Sequence, residues 1–267
     1  MEIIRNVYFI EGENRGRYPF SNSLLIGKSC LIDSGSGKRI NNLNVECIMN
    51  SHWHEDHIAM NKIGKKVMAH HLDVEAIENY GVFRDRYGIG DAVRMFISFE
   101  FGRVDVAFED GDRFEFQGVE IEVLHTPGHA AGHCCFLIDD AVIFLGDIDL
   151  TSFGPWYGCR DCNVGDFVRS IETVEKIVEK LEIKIAIPSH GAIVSGTENI
   201  LKKLKEYKGK IYERDRKIGE LISKGTDPVG KGIFYRKIPE PKMVFLSFEK
   251  MMVEKHITTF RGGSYPY

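Results

Sequence analysis

Glutamine is almost missing from this chain: Gln117 is its single glutamine among 267 residues. Lysine and glutamate are plentiful, and that contrast follows the compositional trend of thermophile proteins. No apolar run reaches the roughly 18 residues that a membrane-spanning helix needs, so no span is expected. The opening Met1-Glu2-Ile3-Ile4-Arg5-Asn6 has no signal-like apolar core, and the expected location is therefore cytoplasmic. Six cysteines are too few to staple a disulfide scaffold. A basic excess is lacking too: a formal net charge of -4 excludes a global field that draws the chain onto nucleic acid or an anionic membrane. There is no G-x-S-x-G elbow to mark a serine nucleophile, no fixed-period repeat, no low-complexity segment and no obvious interdomain linker.

A hydrophobic content of 43% is enough for a sizeable core. The first half reads as short strands and turns: Val7 to Ile10, Ser23 to Ile26, Cys30 to Asp33 as the return strand of a hairpin, Cys47 to Met49 and Val67 to Ala69. A helix is expected from Asp73 to Asn79. Strands resume at Val104 to Phe108, Arg113 to Phe116, Val119 to Leu124, Cys134 to Ile138 and Val142 to Leu145. The apolar stripe Phe167, Ile171, Val174, Ile177 and Val178 marks an amphipathic helix over Asp166 to Leu181. Ile185 to Ile187 is a short buried strand, and Glu198 to Lys224 and Phe245 to Thr258 read as further helices. Strands, helix, strand and helix in this order point to two β-sheets packed face to face with helices outside. Residues 81–103 are longer than an ordinary connection. A lid, a helical insert, a contact in a homodimer and plain core packing are the readings open to them.

The chemistry concentrates in Ser51-His52-Trp53-His54-Glu55-Asp56-His57, with three histidines and an aspartate inside six positions. So polar a loop is costly to bury unless something binds it. Zinc takes imidazole nitrogen and carboxylate oxygen readily. In an extended stretch His52 and His54 project to one side; as the chain turns into a helix, Asp56 and His57 come beside them and can face a neighbouring ion. Three later segments present further donors at strand ends: Thr126-Pro127-Gly128-His129, Leu145-Gly146-Asp147 and Pro188-Ser189-His190-Gly191.

The ordered set H-x-H-x-D-H, T-P-G-H, G-D after an apolar strand and S-H-G, with Leu31-Ile32-Asp33-Ser34-Gly35 ahead of it, resembles the motifs of the metallo-β-lactamase superfamily, over about the first 190 residues. The resemblance implies a four-layer αββα sandwich. It implies a catalytic domain over residues 1–195 with a C-terminal helical extension, 196–267, packed on it. It implies two zinc ions, with iron or manganese as alternatives: one held by His52, His54 and His129, the other by Asp56, His57 and His190, and Asp147 bridging them. Asp33 would orient a ligand by hydrogen bonding. A hydroxide between the ions is then the nucleophile, and Asp56 the catalytic residue that orients it. The di-iron oxidoreductases of the superfamily carry glutamate where this chain has His54, so histidine favours zinc and hydrolysis.

Weaker signals remain. Cys159-Arg160-Asp161-Cys162 is a lone C-x-x-C, half of a tetrahedral zinc site; reduced loop cysteines near the pocket mouth are the preferred reading, with a redox switch or an exposed disulfide as alternatives. Cys134 and Cys135 read as buried packing. Phe153, Trp156 and Tyr157 are candidates for a pocket wall. His133 is read as structural, and His125 and the pair His70-His71 as ordinary residues. His256 is read as solvent-facing. The basic run from Lys202 to Lys217 includes Arg214 and is interspersed with Glu206, Glu213 and Asp215, which favours a solvated helix with internal ion pairs over a nucleic-acid surface. The leading function is hydrolysis of a small-molecule thioester, lactone or related ester, with the hydroxyacylglutathione-hydrolase-like branch the nearest named activity. A metal-dependent phosphodiesterase or ribonuclease is the alternative, and a di-iron oxidoreductase is third.

Overall fold

Cys30, Leu31 and Ile32 are all buried, which a strand achieves only when both faces of its sheet are covered. In the computed structural model, which describes residues 1–263, they sit in the middle of a seven-stranded sheet. Its strands lie side by side in chain order: β1 (Glu2–Ile4), β2 (Val7–Ile10), β3 (Ser23–Ile26), β4 (Cys30–Ile32), β5 (Val45–Met49), β6 (Gly64–His70) and β7 (Val106–Phe108). The first four pair antiparallel; from β4 to β7 the pairing is parallel. A second, six-stranded sheet runs in the order β13 (Val194–Ser195), β12 (Ile185–Pro188), β11 (Val142–Gly146), β10 (Cys134–Ile138), β9 (Val119–His125) and β8 (Arg113–Phe116). Here β11 and β12 are parallel.

Period-two alternation decides what each strand face meets. Cys134, Phe136 and Ile138 join Val142, Phe144, Leu24, Ile32 and Met49 in the core between the sheets. Cys135, Leu137, Ile143 and Leu145 point the other way, into the helical layer. The helices are one irregular turn α1 (Glu13–Gly16), then α2 (Glu55–Ile58), α3 (Val74–Glu78), α4 (Tyr80–Tyr87), α5 (Val164–Lys180), α6 (Thr197–Ile222) and α7 (Lys242–Arg261). In α5, Phe167, Ile171, Val174 and Val178 are buried at helical spacing. It begins two residues before the expected start because the Asn163 side chain caps it, accepting from the amides of Gly165 and Asp166. Helix α6 packs on α5, where Lys208 reaches Glu175 at 2.8 Å and Glu172 at 3.4 Å, and α7 packs on both. The architecture is the expected four-layer αββα sandwich with C-terminal helices.

Residues 81–103 form a helical insert, α4 followed by a 3-10 helix over Gly90–Phe96. Two expectations fail. His256 is not solvent-facing but fully buried, its Nε2 2.8 Å from the Tyr157 hydroxyl and its Nδ1 3.5 Å from Asp215. It stands four and eight residues after Met252 and Phe248 on the buried stripe of α7, so the helix repeat carries it inward. Arg214 is likewise no part of a solvated charge run. Its buried guanidinium stacks against Phe153 and Phe234, 5.0 and 4.9 Å from the ring centroids, and donates to the carbonyls of Pro155 and Phe153. Lys210 and Lys217 do behave as expected, both pairing with Glu213. Among the described residues no helix is long and apolar enough to cross a membrane.

Candidate metal centre and active site

Parallel strands deliver their C-terminal ends to one edge of a sheet, and the chemistry-bearing loops leave from such ends. Asp33 follows β4, the Ser51 to His57 loop follows β5, Asp147 follows β11 and Ser189-His190 follow β12. The turn after β9 adds His129. Gly146 permits this at β11: its φ is +54°, and a Cβ there would stand 2.4 Å from His133 Nε2. The Asp147 amide donates to that same Nε2 at 2.9 Å, while His133 Nδ1 lies 3.0 Å from the Thr126 carbonyl. Burial first, and His129 next, push His133 down to about 3, so it stays neutral and holds the start of the Asp147 loop.

All seven donors named from the sequence fall into two adjoining clusters. In the first, His52 Nε2, His54 Nδ1 and His129 Nε2 are 2.9 to 3.1 Å apart, and His129 Nε2 is 3.2 Å from Asp147 Oδ2. Tetrahedral zinc with bonds of about 2.0–2.1 Å sets its ligands about 3.3 Å apart, close to this spacing. In the second, His190 Nε2 is 3.2 Å from Asp56 Oδ2 and 3.4 Å from Asp147 Oδ1; His57 Nε2 is 3.1 Å from Asp147 Oδ1 and 3.7 Å from Asp56 Oδ1. His57 Nε2 and Asp147 Oδ1 are buried with no hydrogen-bond partner. Buried polar atoms are rarely left so, and their orphaning here fits a cation between them.

The outward nitrogens explain the inward lone pairs. His129 Nδ1 is 2.9 Å from the Trp156 carbonyl, and His190 Nδ1 is 2.7 Å from that of Gly16. A carbonyl only accepts, so both Nδ1 atoms carry the hydrogen and both Nε2 atoms are free to bind metal. Asp33 does the same for His57: its Oδ2 is 2.7 Å from His57 Nδ1, while the Ser51 amide and hydroxyl hold the carboxylate at 2.7 Å each. His54 turns Nδ1 to the cluster and Nε2 to the Cys159 sulfur, 3.5 Å away. Burial lowers His52, His54 and His129, keeping their lone pairs available. Burial opposes charge on His57 and His190 as well, but Asp33, Asp147 and Asp56 outweigh it for His57, and Asp147 and Asp56 for His190. Positive charge is favoured at the second cluster, which a divalent cation satisfies.

A cavity of about 290 Å³ stands over the donors, walled by Phe96, Phe153, Trp156, Tyr235, Phe245 and Phe248. Phe153 and Trp156 meet the expectation of a pocket wall. Tyr157 does not: it is fully buried behind that wall, on His256. Glu55, which sequence reasoning did not single out, belongs to the cavity too. Its buried carboxylate accepts from the hydroxyls of Tyr18, at 2.8 Å, and Tyr87, and all three line the cavity. Burial and the neighbouring Asp56 push it up to about 7. The signal was a carboxylate flanked by donors on both sides, but its partners are far away in the chain. Cys159 and Cys162 are free thiols, both buried, with Cys162 donating to the His129 carbonyl at 2.7 Å; no exposed disulfide is formed. His70 and His125 stack on each other, 4.1 Å between centroids, and join neither cluster.

The family model of the metallo-beta-lactamase superfamily matches residues 19–212. Among curated relatives, a lactamase-like protein of Aspergillus fumigatus is 26% identical over 225 residues, covering 76% of this chain and 56% of that protein. An atrochrysone carboxyl ACP thioesterase of Aspergillus chevalieri is 26% identical over 213 residues, 74% of this chain and 59% of its own. The chain thus spans somewhat more than half the length of these relatives. A solved metallo-beta-lactamase family protein from Thermus thermophilus superposes with a TM-score of 0.70 at 19% identity, over 96% of this chain and 94% of its own. An archaeal superfamily protein from Sulfolobus tokodaii gives 0.59 at 17% identity, over 96% and 100%.

Proposed function

Since the chain belongs to the metallo-beta-lactamase superfamily, we propose that it is a two-metal hydrolase, zinc being the preferred ion, that cleaves a thioester carrying a broad apolar acyl group. The observation that carries this is the seating of two converged donor sets under an aromatic cavity. The thioesterases among its relatives support the choice of ester. His52, His54 and His129 would hold one ion, Asp56, His57 and His190 the other, with Asp147 offering one oxygen to each cluster. Bound there, the metal supplies Lewis acidity and a water that ionises near neutral pH.

The chain's own groups do the rest. Burial opposes the Asp56 charge, but His57 and His190 outweigh it and hold the carboxyl below its ordinary value. It therefore stays ionised, a hydrogen-bond acceptor that would orient the attacking water. The aromatic wall excludes bulk water and fixes the acyl group beside the donors. Glu55, with Tyr18 and Tyr87, fixes the edge of the cavity next to Asp56. Zinc-loaded enzyme assayed against thioesters, lactones, phosphodiesters and β-lactams tests the reading: thioesters are expected to give the highest kcat/KM. Turnover confined to phosphodiesters would replace it with the phosphodiesterase reading.

A further inference from the structure

Three shallow cavities adjoin the aromatic one and together make a basic groove. A shallow cavity that shares Asp149 and His190 with it extends to Lys203. From Lys203 a second runs to Lys210 and Arg236, and a third from these to Lys217 and Lys237. Phe153 and Tyr235 line both the aromatic cavity and this last stretch. The groove therefore starts at a candidate metal ligand and closes back on the aromatic wall, with Arg236 directly following Tyr235 in the chain.

Asp149, Glu206 and Glu213 also line the groove and compensate its charge only in part. Glu213 serves Lys210 and Lys217, at 3.0 and 2.8 Å, and Glu206 faces Lys202 at 3.9 Å. Among the described residues Lys203, Arg236 and Lys237 have no carboxylate partner. In a chain of net charge -4 this strip runs against the overall sign. Three unneutralised cations beside an apolar acyl cavity fit a ligand with an uncharged reacting end and an anionic tail. A lactone or a simple ester has no such tail.

We propose that this groove takes the phosphate of a 4′-phosphopantetheine arm, and that the substrate is the acyl thioester of that arm. The inference rests on the thioesterase reading above and narrows it. Water adds to the thioester carbonyl and the C–S bond breaks. The carboxylic acid and the arm's free thiol leave, the sulfur taking up a proton that the water lost. Lys203, Arg236 and Lys237 bind the tail and hold the ester at the donors.

The test uses the metal-loaded full chain and one aromatic acyl group on two arms, pantetheine and 4′-phosphopantetheine. The phosphorylated thioester is expected to show a kcat/KM at least about tenfold higher, the gap narrowing as salt rises. In the triple variant Lys203→Glu/Arg236→Glu/Lys237→Glu the ratio should fall to within about twofold of one. Each ratio is taken within one preparation, so partial misfolding of the variant does not affect it. A ratio near one in the parent, or a tenfold ratio that survives in the variant, overturns the subsite while leaving the thioesterase intact. So does a higher kcat/KM for the glutathione thioester of the same acyl group. Salt-sensitive RNA binding by the parent that the variant loses would reassign the groove to nucleic acid. No turnover of any thioester, with a lactone or phosphodiester hydrolysed, removes both readings. With the subsite standing, the acyl-coenzyme A and acyl-carrier-protein forms tell which source supplies the arm.

Discussion

Asp33 does not line the cavity, yet it sets what His57 can do, because its carboxylate takes the Nδ1 hydrogen and leaves Nε2 for a cation. Asp33→Asn is expected to weaken zinc binding by about 10- to 100-fold, measured by competition with a chromophoric chelator; unaltered affinity would show that His57 needs no such orientation. Asp147→Ala and His129→Ala should each lose metal and activity together, read by elemental analysis beside turnover. Asp33 was legible from the sequence because it lies in a local turn motif. The role of Glu55 was not, since Tyr18 and Tyr87 stand 37 and 32 residues away and only folding brings them to it. His70 makes a prediction about pH. Burial, then His125 and His71, push it down to about 3, below its unfolded value of about 6.5. The unfolded chain then binds the proton that the native state refuses, so this contribution to stability is intact above pH 6.5 and is lost as pH falls toward 3. In His70→Asn the drop in urea midpoint between pH 7 and pH 5 should be smaller than in the parent; an equal drop would rule out His70 as its source.

Among the elements, periodicity made α5, α6 and most strands readable, because each has one covered face and one period. Ends were less so: Asn163 moved the start of α5 by capping it, and α7 runs beyond both expected limits, Lys242–Arg261 instead of 245–258. The loop elements depend on close approach. A Cβ at Gly35 would lie 1.5 Å from the Asp56 carbonyl, so the turn after β4 and the ligand loop pack backbone against backbone. Gly35→Ala is expected to push the Asp56 to His57 segment away and lower both thermal midpoint and zinc content; normal zinc content in a folded variant would show that the loop gives way freely. Helix α7 supplies Phe248, which is buried and faces the cavity. Phe248→Ala should cost about 3–5 kcal/mol of stability, read from denaturant unfolding, and raise KM for bulky acyl groups more than for small ones.

At the scale of the molecule, the donors come from loops as distant as those of His52 and His190, so a bound cation ties both sheets together. A ligand held only by the native state stabilises it by RT ln(1 + [L]/Kd), about 2.7 kcal/mol at a hundredfold excess over Kd. Stripping metal with a chelator should therefore lower the thermal midpoint, and restoring zinc should recover it. A midpoint indifferent to both would mean that the donor sets bind no metal tightly. By itself the sequence pointed to two packed sheets with helices outside, through strand alternation and helix repeat, and, through motifs that resemble a known family's, to the seven candidate donors that the fold brings together. Tertiary structure alone decided that His256 and Arg214 are buried, that Glu55 is held by two tyrosines, and that basic side chains line the cavities adjoining the aromatic one. Each of these depends on which distant surfaces meet, and no local period encodes that.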